Sequence, residues 1–195
     1  MQSEVARAPA PRTDAAFEAV LARARDGAPS AWDQLFRQFA PAVAGYLRLR
    51  GSAEPDDLTS EVFIAVFRNL ASFHGTEANF RSWIFVIAHR RLQDERRRRT
   101  RRPAVADDEF DESRSAAVGD VEEDALRLMA TERVEAICAR LVPDQRDVLL
   151  LRVVGDLTIE QIAEVLDKSP GAVKQLQRRA FEAVRRLVAR EGVPL

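Results

Sequence analysis

Leu157-Thr158-Ile159-Glu160-Gln161-Ile162-Ala163-Glu164-Val165-Leu166, then Asp167-Lys168-Ser169, then Pro170-Gly171-Ala172-Val173-Lys174-Gln175-Leu176-Gln177-Arg178-Arg179, reads as helix, tight turn, helix. Thr158 followed three residues on by Gln161 is a capping box, and Leu157 is placed to staple onto Ile162. Ser169 is a good N-cap, and Pro170 stands at the first helical position, where its missing N–H costs nothing. In the second helix Val173, Leu176, Ala180, Val184 and Leu187 recur at spacings of three and four and face inward. The outward face then carries Lys174, Gln175, Gln177, Arg178 and Arg179. A short helix that buries one face and offers Lys, Gln and Arg on the other suits a DNA major groove. A surface αα-hairpin with a solvated basic face is the plainer alternative.

The chain has 195 residues, 46% hydrophobic and 31% charged, enough apolar material for a core in one or two domains. Its formal net charge is −1, so a nucleic-acid binder of this composition must gather its basic residues into patches. The single cysteine, Cys138, has no intramolecular partner and reads as a small core residue, as expected in a reducing cytoplasm. No apolar run reaches membrane-spanning length, and the N-terminus lacks the apolar stretch of a signal peptide, so no direct membrane insertion is expected.

Taken in order, residues 1–12 read as a disordered tail rich in Ala and Pro. Thr13 to Arg25 predicts a helix with Phe17, Val20 and Leu21 inward, ended by Gly27. A second helix, capped by Ser30, carries Trp32, Leu35, Phe36, Phe39, Val43, Tyr46 and Leu47 at helical spacing, with a kink or break expected at Pro41. Gly51 to Pro55 is a turn. Asp56 to Leu70 is a third helix with Leu58, Val62, Phe63, Val66, Phe67 and Leu70 in its apolar stripe. Asp57 and Glu61 are four apart and share one surface. Either a cationic partner or simple complementation of the helix dipole accounts for them. A polar loop over Ser72 to Asn79 precedes a fourth helix from Phe80 to about Arg99, with Trp83, Ile84, Ile87 and Leu92 inward. That helix ends in Arg90, Arg91, Arg96, Arg97, Arg98, Arg99, Arg101 and Arg102 against Asp94 and Glu95, a cluster suited to phosphate contact. The aromatic residues upstream are of a kind that stacks on unpaired bases, while for Trp83 core packing is an equal alternative.

Residues 103–124 reverse the sign, with Asp107, Asp108, Glu109, Asp111, Glu112, Asp120, Glu122, Glu123 and Asp124 against Arg114. This composition predicts a flexible acidic linker between two helical domains, residues 13–102 and 125–195. Beyond it Leu126, Met129, Ala130, Val134, Ile137 and Leu141 form one helical face. Asp144 is expected to cap a short helix through Val148, Leu149, Leu151 and Val153, stopped by Gly155. Strand signals are absent throughout, so the expected class is all-α.

No enzyme chemistry is legible. The histidines, His74 and His89, are not spaced with cysteines or acids as metal ligands. No Gly-rich phosphate loop or nucleophile elbow occurs, and the acid pairs fall on solvated helix ends or in the linker. No cofactor, metal or small-molecule substrate is expected.

Three segments together resemble one family. Asp56-Asp57-Leu58-Thr59-Ser60-Glu61-Val62-Phe63 resembles the acidic D-L-T-Q-E-V-F helix of bacterial sigma factors of the extracytoplasmic-function (ECF) group, within the sigma-70 family. Phe80-Arg81-Ser82-Trp83-Ile84-Phe85-Val86-Ile87-Ala88-His89-Arg90-Arg91-Leu92-Gln93-Asp94 resembles their F-R-x-W-L-x-x-I-A-R-N-R-L-x-D helix. Leu141-Val142-Pro143 with Arg146, Val148, Leu149 and Arg152, running into Thr158 to Arg179, resembles their C-terminal helix-turn-helix. The resemblance implies two helical domains, region 2 and region 4. It implies that Asp56, Asp57, Thr59 and Glu61 bind core RNA polymerase at its β′ clamp helices. His74, Asn79, Trp83, His89, Arg90 and Arg91 would meet the promoter −10 element. Ser169, Gly171, Ala172, Lys174, Gln175, Arg178 and Arg179 would meet the −35 element. It also implies an anti-sigma factor, which can hold such a protein at the membrane, and a nucleoid-associated state when active.

Two segments depart from the pattern. Arg90 stands where the family has Asn, and Val173-Lys174-Gln175-Leu176-Gln177 replaces the common V-K-S-R-L, which points to an unusual −35 preference because Gln favours adenine edges. A free-standing helix-turn-helix repressor would be a dimer on paired half-sites, and no heptad seam is present. A purely protein-binding helical adaptor would have no need of the Arg90 to Arg102 cluster.

Overall fold

A computed structural model describes residues 14–101 and 132–190. The expected tail, the acidic linker, the helical face at Leu126, Met129 and Ala130, and Arg102 lie outside the described residues. All regular structure among the described residues is helical, in two domains that pack against each other.

The first domain holds α1 (Asp14–Arg25), α2 (Pro29–Leu49), α3 (Pro55–Arg68), a 3₁₀ turn (Leu70–Ser72) and α4 (Glu77–Arg101). Phe80 is its hub. The ring lies 5.5 Å from Phe17 of α1, 5.3 Å from Phe39 of α2, 5.1 Å from Phe73 and 5.8 Å from Trp83. These edge-on and tilted geometries are the favoured ones for aromatic pairs, and each adds to the area term. Phe17, Leu21, Leu35, Phe39, Val43, Leu47, Val62, Phe63, Val66, Ile84, Phe85 and Leu92 close the core around it.

Several local expectations change. Ser30 does not cap α2. The helix begins one residue earlier at Pro29, and the Ser30 hydroxyl accepts from Arg23 Nη2 at 2.9 Å. No break occurs at Pro41, and α2 runs through it. The proline is on the exposed side, while Phe39, Ala40 and Val43 are buried, so packing outweighs the lost hydrogen bond. α4 starts three residues before Phe80 because Thr76 and Asn79 cap it reciprocally. Thr76 N donates to Asn79 Oδ1 at 3.1 Å, and Asn79 N donates to Thr76 Oγ1 at 3.3 Å. On α4 the buried face is Phe80, Ile84, Phe85, Ala88, His89 and Leu92, with Trp83 and Ile87 only half-buried. Trp32 and Phe36 also sit at the rim of α2, 37% and 38% exposed, because Ala31, Leu35 and Phe39 take the inward positions.

The second domain holds α5 (132–139), α6 (Pro143–Val153), α7 (Ile159–Leu166) and α8 (Pro170–Arg190). Cys138 is buried as expected, whereas Val134 is 47% exposed rather than inward. α6 begins on Pro143, with no side-chain cap. Asp144 instead pairs with Lys168 Nζ at 3.0 Å. Gly155 follows the helix end, where a Cβ would stand 2.6 Å from the Leu151 carbonyl oxygen, so only glycine lets the chain turn there. The capping box at α7 is present: Thr158 N donates to Gln161 Oε1 at 2.9 Å and Gln161 N to Thr158 Oγ1 at 3.3 Å. Leu157 and Ile162, the expected staple, are both fully buried. Asp167 takes the left-handed conformation, φ 51°, and ends α7. Ala172 N donates to Ser169 Oγ at 3.2 Å, and α8 starts at Pro170.

Candidate polymerase and nucleic-acid interfaces

The acidic end of α3 is a surface. Asp56 is exposed and pairs loosely with Arg48 at 3.7 Å, Asp57 is exposed, and Glu61 pairs with Arg91 at 3.7 Å. Thr59 is not part of that surface. It is buried, and its hydroxyl donates to the Pro55 carbonyl at 2.7 Å, one turn back. Ile64, 50% exposed, follows Asp57 and Glu61 on the same side of the helix. Beyond it Trp32 stacks on Phe67 at 5.1 Å and Phe36 meets Phe63 at 4.9 Å. An apolar patch edged by acids is a docking chemistry. Trp32 and Phe36 share the helical spacing of the α2 apolar residues, and Ile64 adjoins the α3 apolar stripe, yet all three are exposed. Their place at the edge of the apolar stripe was the available signal.

The −10 candidates separate into surface and core. His74, Asn79 and Arg90 are exposed, although the Asn79 side chain already caps α4. Trp83 is half-buried, stacked on Phe73 at 5.2 Å, and Arg91 is half-buried against Glu61. His89 is a core residue with both ring nitrogens engaged, and it offers nothing to DNA here. Tyr46 Oη lies 2.8 Å from Nδ1 and Gln93 Nε2 lies 2.7 Å from Nε2. With the Gln93 amide donating, Nε2 accepts and Nδ1–H donates to Tyr46. Burial, then the charges of Arg50 and Arg96, lower the His89 pKa to about 4, so the ring is neutral at ordinary pH. Within the arginine cluster Arg96 turns inward to the Arg50 carbonyl, while Arg90, Arg97, Arg98, Arg99 and Arg101 stay on the surface.

α8 holds the −35 candidates as a face. Val173 and Ala180 are completely buried and Leu176 is partly buried, which fixes the rotation of the helix. Lys174, Gln175, Arg178 and Arg179 are exposed on the other side, and Arg178 makes a loose pair with Glu182 at 3.9 Å. Ser169 caps it, and Gly171 and Ala172 lie in its first turn, where the helix dipole favours a phosphate, although the Ala172 N–H is already taken by Ser169 Oγ.

Residues 35–102 match the family model described as Sigma-70 region 2, and residues 131–184 match Sigma-70, region 4. The chain is 33% identical over 179 residues to the ECF RNA polymerase sigma factor ShbA of Streptomyces griseus, covering 87% of this chain and 93% of that one. This chain is an ECF RNA polymerase sigma factor. The ECF RNA polymerase sigma factor BldN of Streptomyces coelicolor is 29% identical over 185 residues, covering 93% of this chain and 70% of that protein. Among solved structures, CnrH in complex with the cytosolic domain of CnrY aligns with TM-score 0.62 and 25% identity, over 88% of this chain and 96% of that one. RpoE in complex with the anti-sigma factor NepR from Bartonella quintana gives the same TM-score at 21% identity, over 80% and 96%, and shares the fold.

In this sigma factor, regions 2 and 4 meet around a buried ion pair. Arg50 follows α2 in region 2 and donates from Nη2 to Asp147 Oδ2 of α6 in region 4 at 2.9 Å, with Nε against Oδ1. Burial pushes the Asp147 carboxyl up to about 6, against the opposing pull of Arg50.

A pH test isolates His89. Its folded pKa, about 4, lies below the ordinary 6.5, so its neutral form contributes stability that is lost as pH falls through that window. Asp147 titrates over the same range with the opposite sign, because its raised pKa makes the folded state bind a proton more tightly. His89→Gln keeps a polar partner for Tyr46 but has no charge to gain. The variant-minus-wild-type stability is expected to climb as pH drops from 6.5 to 4, by up to about 1.4 kcal/mol per pH unit, with the Asp147 contribution cancelling. Urea melts at several pH values measure this, and parallel profiles would contradict a neutral buried His89.

Proposed function

We propose that this sigma factor directs core RNA polymerase to promoters through three surfaces. The acidic end of α3, with Asp56, Asp57, Glu61 and the neighbouring Ile64, docks on the β′ clamp helices of the polymerase. Region 2, residues 13–102, meets the −10 element as unpaired DNA through His74, Asn79, Trp83, Arg90 and Arg91, because specific reading of an unpaired base requires it out of the stack. Region 4, residues 125–195, reads the −35 element with α8. An anti-sigma factor controls access to these surfaces. RpoE, which shares this fold, has been solved in complex with the anti-sigma factor NepR, and that complex is in keeping with this reading. The protein acts as an initiation factor in the cytoplasm, carries no active site of its own and inserts no segment in the membrane. No helix among the described residues is long and apolar enough to cross one.

One observation carries the DNA reading: Val173 and Ala180 are completely buried while Lys174, Gln175, Arg178 and Arg179 stand in solvent on the opposite face of α8. Gln175 is placed to read a base edge and Lys174 to hold a phosphate. Gln175→Ala is expected to cost about 1–3 kcal/mol at one −35 base pair and to relax the preference there. Lys174→Ala should weaken all −35 variants alike and flatten the salt slope by about one. Binding to a −35 substitution library separates the two, and unaltered base preferences in Gln175→Ala would refute this register. For docking, Asp57→Lys with Glu61→Lys should abolish binding to core polymerase without loss of helix, since both sites are exposed. Undiminished pull-down of the folded double variant would reject α3 as the docking face.

A further inference from the structure

We infer that α1 sets the −10 contact from behind. Arg25, at the end of that helix, is a positioning residue that pins the Phe73 carbonyl and so holds the His74–Gly75 arch and the Phe73–Trp83 stack where unpaired DNA meets them. The inference rests on the −10 reading above, and none of the contact residues named there lies on α1.

The segment from Phe73 to Asn79 is held at both ends. At its start the Arg25 guanidinium donates from Nη2 to the Phe73 carbonyl, 48 residues away in sequence. The Phe73 ring is buried, 5.1 Å from Phe80 and stacked 5.2 Å from Trp83, so the carbonyl and the stack are tied to one residue. At its end Thr76 Oγ1 donates to Asn79 Oδ1 at 2.7 Å, and Gln38 Nε2 of α2 donates to Glu77 Oε1 at 2.7 Å. His74 and Gly75 alone lie between the two anchors, and both are exposed. Gly75 takes φ +148°, and a Cβ there would stand 3.0 Å from Asn79 Cβ, so a side chain at this point disturbs the arch.

Arg25 reaches the carbonyl at some cost. Its Nε is buried without a hydrogen bond, and Nη1 lies 3.5 Å from Glu18 Oε1. The helix that carries it is itself fixed: Phe17 packs on Phe80 at 5.5 Å, and Trp32 Nε1 donates to the Ala24 carbonyl. A guanidinium bonded to a carbonyl is charge-assisted and stronger than a neutral pair. A loop already ordered in the free protein spares binding the entropy of ordering it. The plainer role for Arg25 is to complement the dipole at the end of α1. Arg23 carries the same charge in the same last turn but donates to Ser30 instead, so the two arginines separate pinning from charge.

The test uses the full chain assembled with core polymerase on a promoter fork unpaired through −10. Arg25→Met keeps the apolar stem and removes the donor, whereas Arg25→Lys keeps a charged donor. Arg23→Ala removes the neighbouring charge alone. Gly75→Ala disturbs the arch from within and decides the matter should Arg25→Met fail to fold. Arg25→Met and Gly75→Ala should each weaken fork binding about 3- to 10-fold and shrink the difference between matched and substituted −10 forks. Arg25→Lys should recover most of that difference, and Arg23→Ala should behave as wild type. Affinity for core polymerase and for a −35 duplex should stay put in all four. In the free chain, NMR order parameters at the His74 and Gly75 amides should be high in wild type and fall in Arg25→Met. Unchanged −10 discrimination in Arg25→Met, an equal loss in Arg23→Ala, an equal loss on the −35 duplex, or unchanged order parameters would each overturn the inference. If wild type itself does not distinguish matched from substituted −10 forks, the −10 reading fails, while the order parameters still decide whether Arg25 pins the arch.

Discussion

The Arg50–Asp147 ion pair is the constraint on which the arrangement of this molecule turns. Burying two opposite charges costs several kcal/mol in lost hydration, and good geometry only about returns it. Such a pair therefore contributes little net stability. Removing one partner is different: an unpaired buried charge costs about 3–5 kcal/mol. The pair acts as a register, tolerating one arrangement of region 2 and region 4 and penalising others. Tyr46, His89 and Arg96 gather around it, and burial holds Tyr46 and His89 neutral. A polar cluster thus sits where two apolar cores meet.

Each region meets a second demand by dividing its helices into faces. α8 commits Val173 and Ala180 to the core and leaves Lys174, Gln175, Arg178 and Arg179 in solvent. α3 commits Leu58, Val62, Phe63 and Val66 and leaves Asp57, Glu61 and Ile64 outside. Thr59 shows how strict the division is. One residue off the exposed stripe, it is buried and spends its hydroxyl on the backbone.

The helical class and the helix-turn-helix were legible because their signals are local. Thr158, Gln161, Ser169 and Pro170 act within a few residues, and the structure contains each device they predict. Rotational detail was less legible. His89 reads as a basic DNA ligand in sequence, but its burial depends on Tyr46, 43 positions away. Trp32 and Phe36 read as core, but neighbours one step round α2 take those places. Pro41 looks like a break, but packing on both sides carries the helix through. The Arg50–Asp147 pair had no local signature at all, since an arginine after a helix and an aspartate in another are ordinary surface residues until tertiary packing joins them.

The central claim is that the buried Arg50–Asp147 pair holds region 2 and region 4 in one arrangement in the free chain. The most direct measurement is the distance between a spin label on α2, at Arg37→Cys, and one on α8, at Glu182→Cys, in a Cys138→Ser background. It is read by pulsed electron resonance in the free chain and again with Asp147→Asn, which removes the charge while keeping the shape. The account predicts one short distance for the free chain and a longer, broader distribution in the variant. The same single distance in both would contradict it.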